Sequence, residues 1–367
     1  MESLVLYGGA FDPIHNGHLR IARAASLLLN ADVIFVPSGN PTWKAPCESG
    51  ADRLAMVRAA LRKDGSSAFS ISTFELDRSD KPTYWVDTLR HFRSLYPKRK
   101  LYFLIGADEV NAFPTWKDPE TCASIATPVY VNRPGVKLDD RVLSQYNMRR
   151  LAYDRLSPVT SSDVRSLRSN DIPSAVRKYI EDHRLYYIRT LGTMLTPHRL
   201  EHSISVANLC YDIARLNHLP EFQSAYIAGL IHDCGKHAPK EKALAYLREN
   251  FPGEYVSLPE WTFHQFMGRH IAEETWGITD EAVLGAVMYH ATGKAHMSPL
   301  GKIVYSADKI DPLRGYDSRK MIRACKKDYY VGFLTVLEAN REYLTSKGYV
   351  TDNPFTECCI KEYLGGN

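Results

Sequence analysis

Two groups of residues in this chain have the types and spacing to handle phosphate. The first is the run Gly8-Gly9-Ala10-Phe11-Asp12-Pro13-Ile14-His15-Asn16-Gly17-His18, directly after the apolar Leu4-Val5-Leu6-Tyr7. Gly8 and Gly9 let backbone amides approach a ligand with no Cβ in the way. Pro13 stiffens the turn and ends the strand. His15, Gly17 and His18 then fall at or near a helix N-terminus, where unpaired N–H groups and the positive end of the helix dipole attract anions. Two imidazoles aimed at one point add donors where negative charge accumulates. The second group centres on Ile231-His232-Asp233-Cys234-Gly235-Lys236. Adjacent His232 and Asp233 diverge by about 100° on a helix, which does not prevent both from reaching a metal held between several helices. Ala225, Gly229, His232 and Lys236 have the spacing of one close-packed helical stripe. His202 lies on a second stripe with Val206, Leu209 and Ile213. A lone histidine there is more often a satisfied core residue than a ligand, and the same holds for His264, His290 and Asp308 taken singly.

The elements that must position these groups change character along the chain. Up to about residue 185, short β runs alternate with amphipathic helices, the pattern of a parallel sheet. Strands are expected at Leu4–Tyr7, Val33–Val36, Phe69–Ser72, Leu101–Ile105 and Val129–Val131. Helices are expected at about Gly17–Leu29, Asp52–Leu61 and Thr83–Leu95. The first helix is predicted to bury Ile21, Ala25 and Leu28. Ligands of such sheets bind beyond the carboxyl ends of the strands, where Gly8–His18 falls. From about Leu191 the β signal stops and helical patterns run on, broken by Pro252-Gly253, Pro259 and Ser298-Pro299. This predicts an α/β domain over 1–189 and an all-α domain over 190–367.

Composition narrows the class. Hydrophobic residues make up 44% and charged residues 24%, with a net charge of +4. So small an excess of positive charge does not call for a nucleic-acid partner. The seven cysteines contain no Cys-x-x-Cys pair, which argues against a disulfide framework and suits a reducing cytoplasm. No apolar run approaches the ~20 residues of a transmembrane helix, so no membrane partner is expected. Nor is a signal peptide, since residues 4–7 read as the first strand.

The first group resembles the HxGH nucleotidyltransferases, a Rossmann-like superfamily whose signature binds a triphosphate and stabilises adenylyl transfer. Further segments resemble the bacterial nicotinate-nucleotide adenylyltransferases over about residues 3–187. These are Pro41–Lys44, Asp52-Arg53-Leu54-Ala55-Met56, Tyr84-Trp85-Val86-Asp87-Thr88-Leu89, Ile105-Gly106-Ala107-Asp108, Trp116 and Thr160-Ser161-Ser162-Asp163-Val164-Arg165. The chain departs from the family at Trp43 and Trp85, where His and Thr are usual. The resemblance implies that His15 and His18 act on the transferring phosphates of ATP, which arrives with Mg²⁺. Gly8, Gly9, Phe11, Asp12, Lys44, Gly106, Asp108, Ser161, Ser162 and Arg165 would bind that nucleotide. Thr83, Tyr84 and Trp116 would bind nicotinate mononucleotide, with Trp116 stacking on the pyridine ring. Asp108 is equally suited to cap a helix, and Trp116 to serve as core. Phosphopantetheine and nicotinamide mononucleotide are the competing acceptors.

The second group resembles the H…HD…D pattern of the HD phosphohydrolases, and within them the symmetrical diadenosine-tetraphosphate hydrolases, over about residues 194–345. The similar stretches are Arg199-Leu200-Glu201-His202, His264 with Gly268, Tyr289-His290-Ala291-Thr292-Gly293, Met297–Ile303 and Asp311-Pro312-Leu313-Arg314. The resemblance implies His202, His232, Asp233 and Asp308 as ligands of iron or manganese, one ion or two. Nitrogen and carboxylate donors without thiolate suit those metals or zinc. Asp233 and Lys236 would serve catalysis, and Arg199, His264, His290, Ala291 and Arg314 would meet diadenosine tetraphosphate, with completion of a second metal site as the alternative for His264 and His290. Lys236 is equally suited to an exposed helix end. His198 matches no family position and is set aside, as are His218, His237, His270 and His296. A nucleotide phosphatase, a cyclic-dinucleotide phosphodiesterase and a nucleotide sensor are the competing readings. A homo-oligomer remains open.

Overall fold

A computed structural model describes residues 2–40, 46–132, 135–153, 159–253, 257–346 and 353–365. Lys44 and Trp43 lie outside these residues. The chain divides into two compact units, one of Met1–Val164 with Asp171–His183, the other of Arg165–Asn170 with Arg184–Asn367.

Among the described residues the first unit is built on six strands: β1 (Ser3–Gly9), β2 (Ala31–Pro37), β3 (Phe69–Ile71), β4 (Lys100–Gly106), β5 (Thr127–Val131) and β6 (Arg149–Arg150). They form one sheet in the order β3-β2-β1-β4-β5-β6, with every pair parallel. Its helices are α1 (Asn16–Leu29), α2 (Gly50–Asp64), α3 (Trp85–Leu95), α4 (Ala107–Val110), α5 (Pro119–Ile125), α6 (Asp140–Gln145), α7 (Ser161–Arg165) and α8 (Ser174–Asp182). The chain order reverses at β1, whose neighbours are β2 and β4. The crevice beyond β1 and β4 is therefore the binding place that the topology supplies. Leu4, Val5 and Leu6 are fully buried, as expected of a central strand with both faces covered.

One packing expectation is corrected. Helix α1 buries Leu19, Ala22, Ala25 and Leu29, whereas Leu28 is 50% exposed and Ile21 only half-buried. The buried stripe is rotated from the predicted one. Five of its seven buried positions are glycine, alanine or serine (Gly17, Ala22, Ala24, Ala25 and Ser26), so apolar size alone did not mark the face.

The second unit is helical: α9 (Tyr187–Met194), α10 (Pro197–Leu216), α11 (Phe222–Ile231), α12 (Lys240–Asn250), α13 (Phe263–Trp276), α14 (Glu281–Met288), α15 (Pro299–Ile310), α16 (Arg319–Lys327), α17 (Tyr329–Ser346) and α18 (Pro354–Ile360). Helices α10 and α11 approach so closely that a Cβ on Gly229 would lie 2.9 Å from the Ala207 Cα. The stripe through Ala225 and Gly229 does not continue to Lys236 as predicted. Helix α11 stops at Ile231 and the chain turns, with Lys236 N–H donating to Asp233 O at 2.9 Å. A Cβ on Gly235 would lie 2.3 Å from the His264 carbonyl oxygen, so the turn is pressed against α13. Among the described residues no helix is long and apolar enough to cross a membrane.

Candidate functional site

The turn after β1 is held by its own residues and by α2. Phe11 takes a left-handed φ of 47°, and its ring is buried against Tyr7, Phe35 and His18. Its side chain is thus a core plug. Asp12 is buried and accepts a hydrogen bond from Cys47 N–H at 2.6 Å, which ties the turn to the segment before α2. His15 precedes α1 as its N-cap residue, and its backbone N–H donates to His18 Nδ1 at 3.1 Å. With Nδ1 accepting, the neutral His18 ring carries its proton on Nε2 and offers it as a donor. The two imidazoles lie against each other, tilted by 33°, with centroids 3.7 Å apart. The helix start is clamped from outside by Asp171, which accepts from Asn16 Nδ2 at 2.8 Å and from Arg20 at 2.6 Å.

Gly8 and Gly9 have a packing reason as well as a ligand reason. A Cβ on Gly8 would lie 2.6 Å from the Trp85 ring, and one on Gly9 3.3 Å from the Phe11 ring. Gly106 ends β4, and a Cβ there would lie 2.3 Å from Asp108 Oδ1. Asp108 is exposed, in the first turn of α4. Ser161, which starts α7, donates to Pro13 O at 2.9 Å, so this helix N-terminus is tied to the histidine turn. Ser162 follows it and Arg165 closes the helix. Thr83 bonds the loop after β2, with its N–H donating to Asn40 O at 3.1 Å. Tyr84 caps α3 and lies under the Lys117 ammonium, 4.2 Å from ring centroid to Nζ. Trp116 is half-buried, 5.0 Å from Phe113 and 6.4 Å from Phe103, ring to ring.

Two residues without an assigned role in the sequence hold this site together. Arg53 is 1% exposed, and its guanidinium donates to Ala10 O and Ser38 O, both at 2.8 Å, and to Glu48 O at 3.3 Å. It pins the loops after β1 and β2 to the start of α2. Gly39 lies so close to Glu75 that a Cβ would sit 1.9 Å from that carbonyl oxygen. Burial pushes the Glu75 carboxyl above the usual range, against hydrogen bonds from Thr88, Gly39 and Thr83. The Asp52–Met56 segment contains Arg53 but gives no sign of its burial, and only coordinates reveal the contact at Gly39.

In the second unit the six predicted His and Asp side chains converge. His202 comes from α10, His232 and Asp233 from the turn after α11, His264 from the first turn of α13, His290 from just beyond α14, and Asp308 from the last turn of α15. All six are buried. Asp308 Oδ1 lies 3.2 Å from His202 Nε2 and 3.5 Å from His232 Nε2. Asp233 Oδ2 lies 3.9 Å from His232 Nε2, while its Oδ1 lies 3.4 Å from His264 Nε2 and 3.7 Å from His290 Nε2.

Each imidazole is oriented through Nδ1. His202 uses Asp311 Oδ2 at 2.7 Å, His232 Gly229 O at 2.7 Å, His264 Trp261 O at 2.8 Å and His290 Val287 O at 2.8 Å. Every Nε2 is thereby turned to the centre, the arrangement of metal-bound histidines. Among the described residues His232 Nε2 is buried with no hydrogen-bond partner, an atom that a cation would satisfy. Two ligand groups emerge, His202–His232–Asp233 and Asp233–His264–His290, in each of which the donor atoms lie within 4.8 Å of one another. The residues fit a metal, and Asp233 is common to both groups. Asp311 stood in the sequence only as part of a longer motif, and its orienting role comes from the structure.

The electrostatics are those of a crowded polar core. Burial raises the Asp233 carboxyl, but the imidazoles of His232, His290 and His264 outweigh it and hold it well below the carboxylate range. Asp308 is likewise lowered, because the adjacent imidazoles of His202 and His232 and the Arg314 charge overcome its burial. Burial, His290 and Lys236 push His264 down to about 3. Arg199 Nη1 donates to Asp233 Oδ2 at 2.7 Å, and Arg314 pairs with Asp308. Lys236 is half-buried beside His264 rather than at an exposed helix end, and burial lowers its pKa. With Ala291 and Lys309 these groups line a cavity of about 310 Å³. His198, set aside in the sequence, lines a second cavity together with His202.

Residues 6–167 match the cytidylyltransferase-like family model and residues 199–313 match the HD domain model. The fold and the two sites thus define a fusion of a nucleotidyltransferase-type α/β domain with an HD domain. Over 344 residues the chain is 30% identical to a protein of Mycoplasma pneumoniae named probable nicotinate-nucleotide adenylyltransferase/Ap4A hydrolase, covering 91% of this chain and 98% of that one. The chain belongs to that two-domain family. It is also 37% identical over 188 residues to a probable nicotinate-nucleotide adenylyltransferase of Thermus thermophilus, covering 49% of this chain and 97% of the other. A solved structure from Clostridium acetobutylicum, titled a predicted HD superfamily hydrolase involved in NAD metabolism, is 29% identical with a TM-score of 0.44, covering 51% of this chain and 96% of that one.

Proposed function

We infer that the chain carries two activities, each in one unit. The first unit transfers the adenylyl group of ATP to nicotinate mononucleotide, giving deamido-NAD and pyrophosphate. The second cleaves diadenosine tetraphosphate symmetrically to two ADP. The observation that carries the reading is the pair of constructions itself: a histidine-bearing helix start at the sheet's switch point, and four Nε2 atoms with two carboxylates gathered in a helical core.

In the first reaction the nucleophile is the phosphate of the mononucleotide, mostly dianionic at neutral pH because its second pKa is about 6. No general base is needed, so the protein aligns the two substrates and stabilises charge. His18 donates its Nε2 proton to the transferring phosphate, with His15 beside it and the N-terminus of α1 adding its dipole. The start of α7, with Ser161 and Ser162, supplies a second set of phosphate donors, and Lys44 adds positive charge. Mg²⁺ arrives with ATP. Trp116 and Tyr84 bound the acceptor side.

In the second reaction His202, His232, Asp233 and Asp308 would hold a divalent ion, iron or manganese, and His264 and His290 would either complete a second site with Asp233 or donate to substrate phosphates. A metal held there would supply an acidified water and a polarised phosphoryl oxygen. Arg199 and Arg314 grip phosphate oxygens in bidentate fashion, and Lys236 neutralises charge on the leaving phosphate.

Product analysis with the full chain tests both halves. ATP with nicotinate mononucleotide yields deamido-NAD and pyrophosphate. Diadenosine tetraphosphate with iron or manganese yields ADP alone. A preference for phosphopantetheine contradicts the first assignment, and a mixture of AMP and ATP contradicts the second.

A further inference from the structure

Two cavities flank the metal cluster, and the same two arginines line both. The first, of about 310 Å³, is walled by Asp233, His264 and His290 and also by Trp261 and Asn340. The second, of about 420 Å³, lies at His202 and is lined by His198 and Leu313. Arg199 and Arg314 belong to both. Volumes above about 300 Å³ suit small organic ligands. A polyphosphate gripped by this arginine pair therefore has a nucleoside-sized space at each of its ends.

The first space is equipped for a base. Trp261 is 52% exposed, although the other tryptophan of this unit, Trp276, is 4% exposed. Its backbone is anchored. Its carbonyl accepts the His264 Nδ1 hydrogen bond at 2.8 Å, neighbouring Glu260 is paired with Lys240, and Thr262 Oγ1 donates to Pro259 O at 2.7 Å. An open indole on an anchored turn beside a cationic phosphate site is a stacking surface for a base. Asn340 donates its amide N–H to the Tyr305 hydroxyl at 3.1 Å, which leaves its carbonyl oxygen as an acceptor. Adenine offers an exocyclic amine to such an acceptor, whereas guanine has a carbonyl at that place. The second space offers Leu313, 48% exposed, and the exposed His198 ring.

We propose that the metal cluster is served by two nucleoside cavities bridged by Arg199 and Arg314, with Trp261 stacking the adenine in one and Leu313 and His198 receiving the second nucleoside in the other. This rests on the hydrolase reading and states what selects its substrate: a polyphosphate with a base at each end.

The test compares diadenosine tetraphosphate with adenosine tetraphosphate on the metal-loaded full chain. Wild type prefers the two-base substrate. Trp261→Ala lowers kcat/KM on both by about 10-fold, the effect of losing one stacked base. Leu313→Asp lowers kcat/KM only on the two-base substrate. Equal kcat/KM of wild type on both substrates, or a Leu313→Asp loss shared by both, overturns the two-cavity arrangement. Unaltered kinetics in Trp261→Ala overturn the stacking. Trp261 is half-exposed, so its removal opens no internal cavity, and Trp261→Phe keeps an aromatic face as a second variant. If wild type cleaves neither substrate, the hydrolase reading fails separately. Quenching of tryptophan fluorescence by ADP then decides the stacking: a component lost in Trp261→Phe supports it, and identical quenching in the two proteins refutes it.

Discussion

The turn after β1 is made of consecutive residues, 8 to 18, whereas the metal cluster draws side chains from five helical elements between residues 202 and 308. The first site works mainly through backbone: a helix start, a close-packed Gly8 and a histidine oriented by its neighbour's N–H. The second works through side chains whose outer nitrogens are all spoken for, leaving the inner ones to a cation. A site that only has to orient phosphate can be local. One that must hold a metal in a buried setting needs donors from several directions and a rigid shell behind each.

That contrast can be broken most sharply at Asp233, which both ligand groups share. Asp233→Asn is expected to lower hydrolysis by more than about 100-fold, since even a residue supporting a ligand is worth 10–100-fold; product formation from diadenosine tetraphosphate checks it. In the first site, His18→Ala removes one oriented donor and should lower adenylyl transfer by roughly 100- to 1000-fold in kcat, read from deamido-NAD formation. Asp311→Asn tests the shell rather than the ligands. His202 loses its carboxylate partner, and metal affinity should fall by about 10- to 100-fold, measured by competition with a chelator. Trp116→Ala sharpens the acceptor side. Loss of one stacked ring should raise KM for nicotinate mononucleotide by about 10-fold, with kcat nearly kept. The smallest effect concerns the frame: Gly39→Ala forces a Cβ onto the Glu75 carbonyl and should cost about 1–3 kcal/mol, visible as an earlier thermal transition.

The same contrast explains what could be read from the sequence. The strands at Leu4–Tyr7 and Leu101–Ile105 announce themselves as continuous apolar runs, and the structure pairs them at the switch point. Gly8–His18 is contiguous, so its types and order carry the chemistry. In the second unit the ligand set became legible only through resemblance, because each histidine alone looks like core. What escaped was set by tertiary contact. Arg53 is a charged residue in a helical pattern, and two of its three carbonyl partners, Ala10 and Ser38, come from other turns of the chain. Leu28 is apolar yet exposed, because α1 faces the sheet through small residues. Lys236 was placed on a helix that in fact ends at Ile231, since the contact of Gly235 with α13 has no local signature.

In the proposed function one chain holds two separable phosphate sites, and only the second is built around protein-bound metal. The direct measurement is the metal content of purified wild type and Asp233→Asn, with both reaction rates recorded on the same preparations. Asp233→Asn should lose bound metal and hydrolysis while adenylyl transfer continues at the wild-type rate. A variant that keeps both metal and hydrolysis, or one that loses the two activities together, would contradict it.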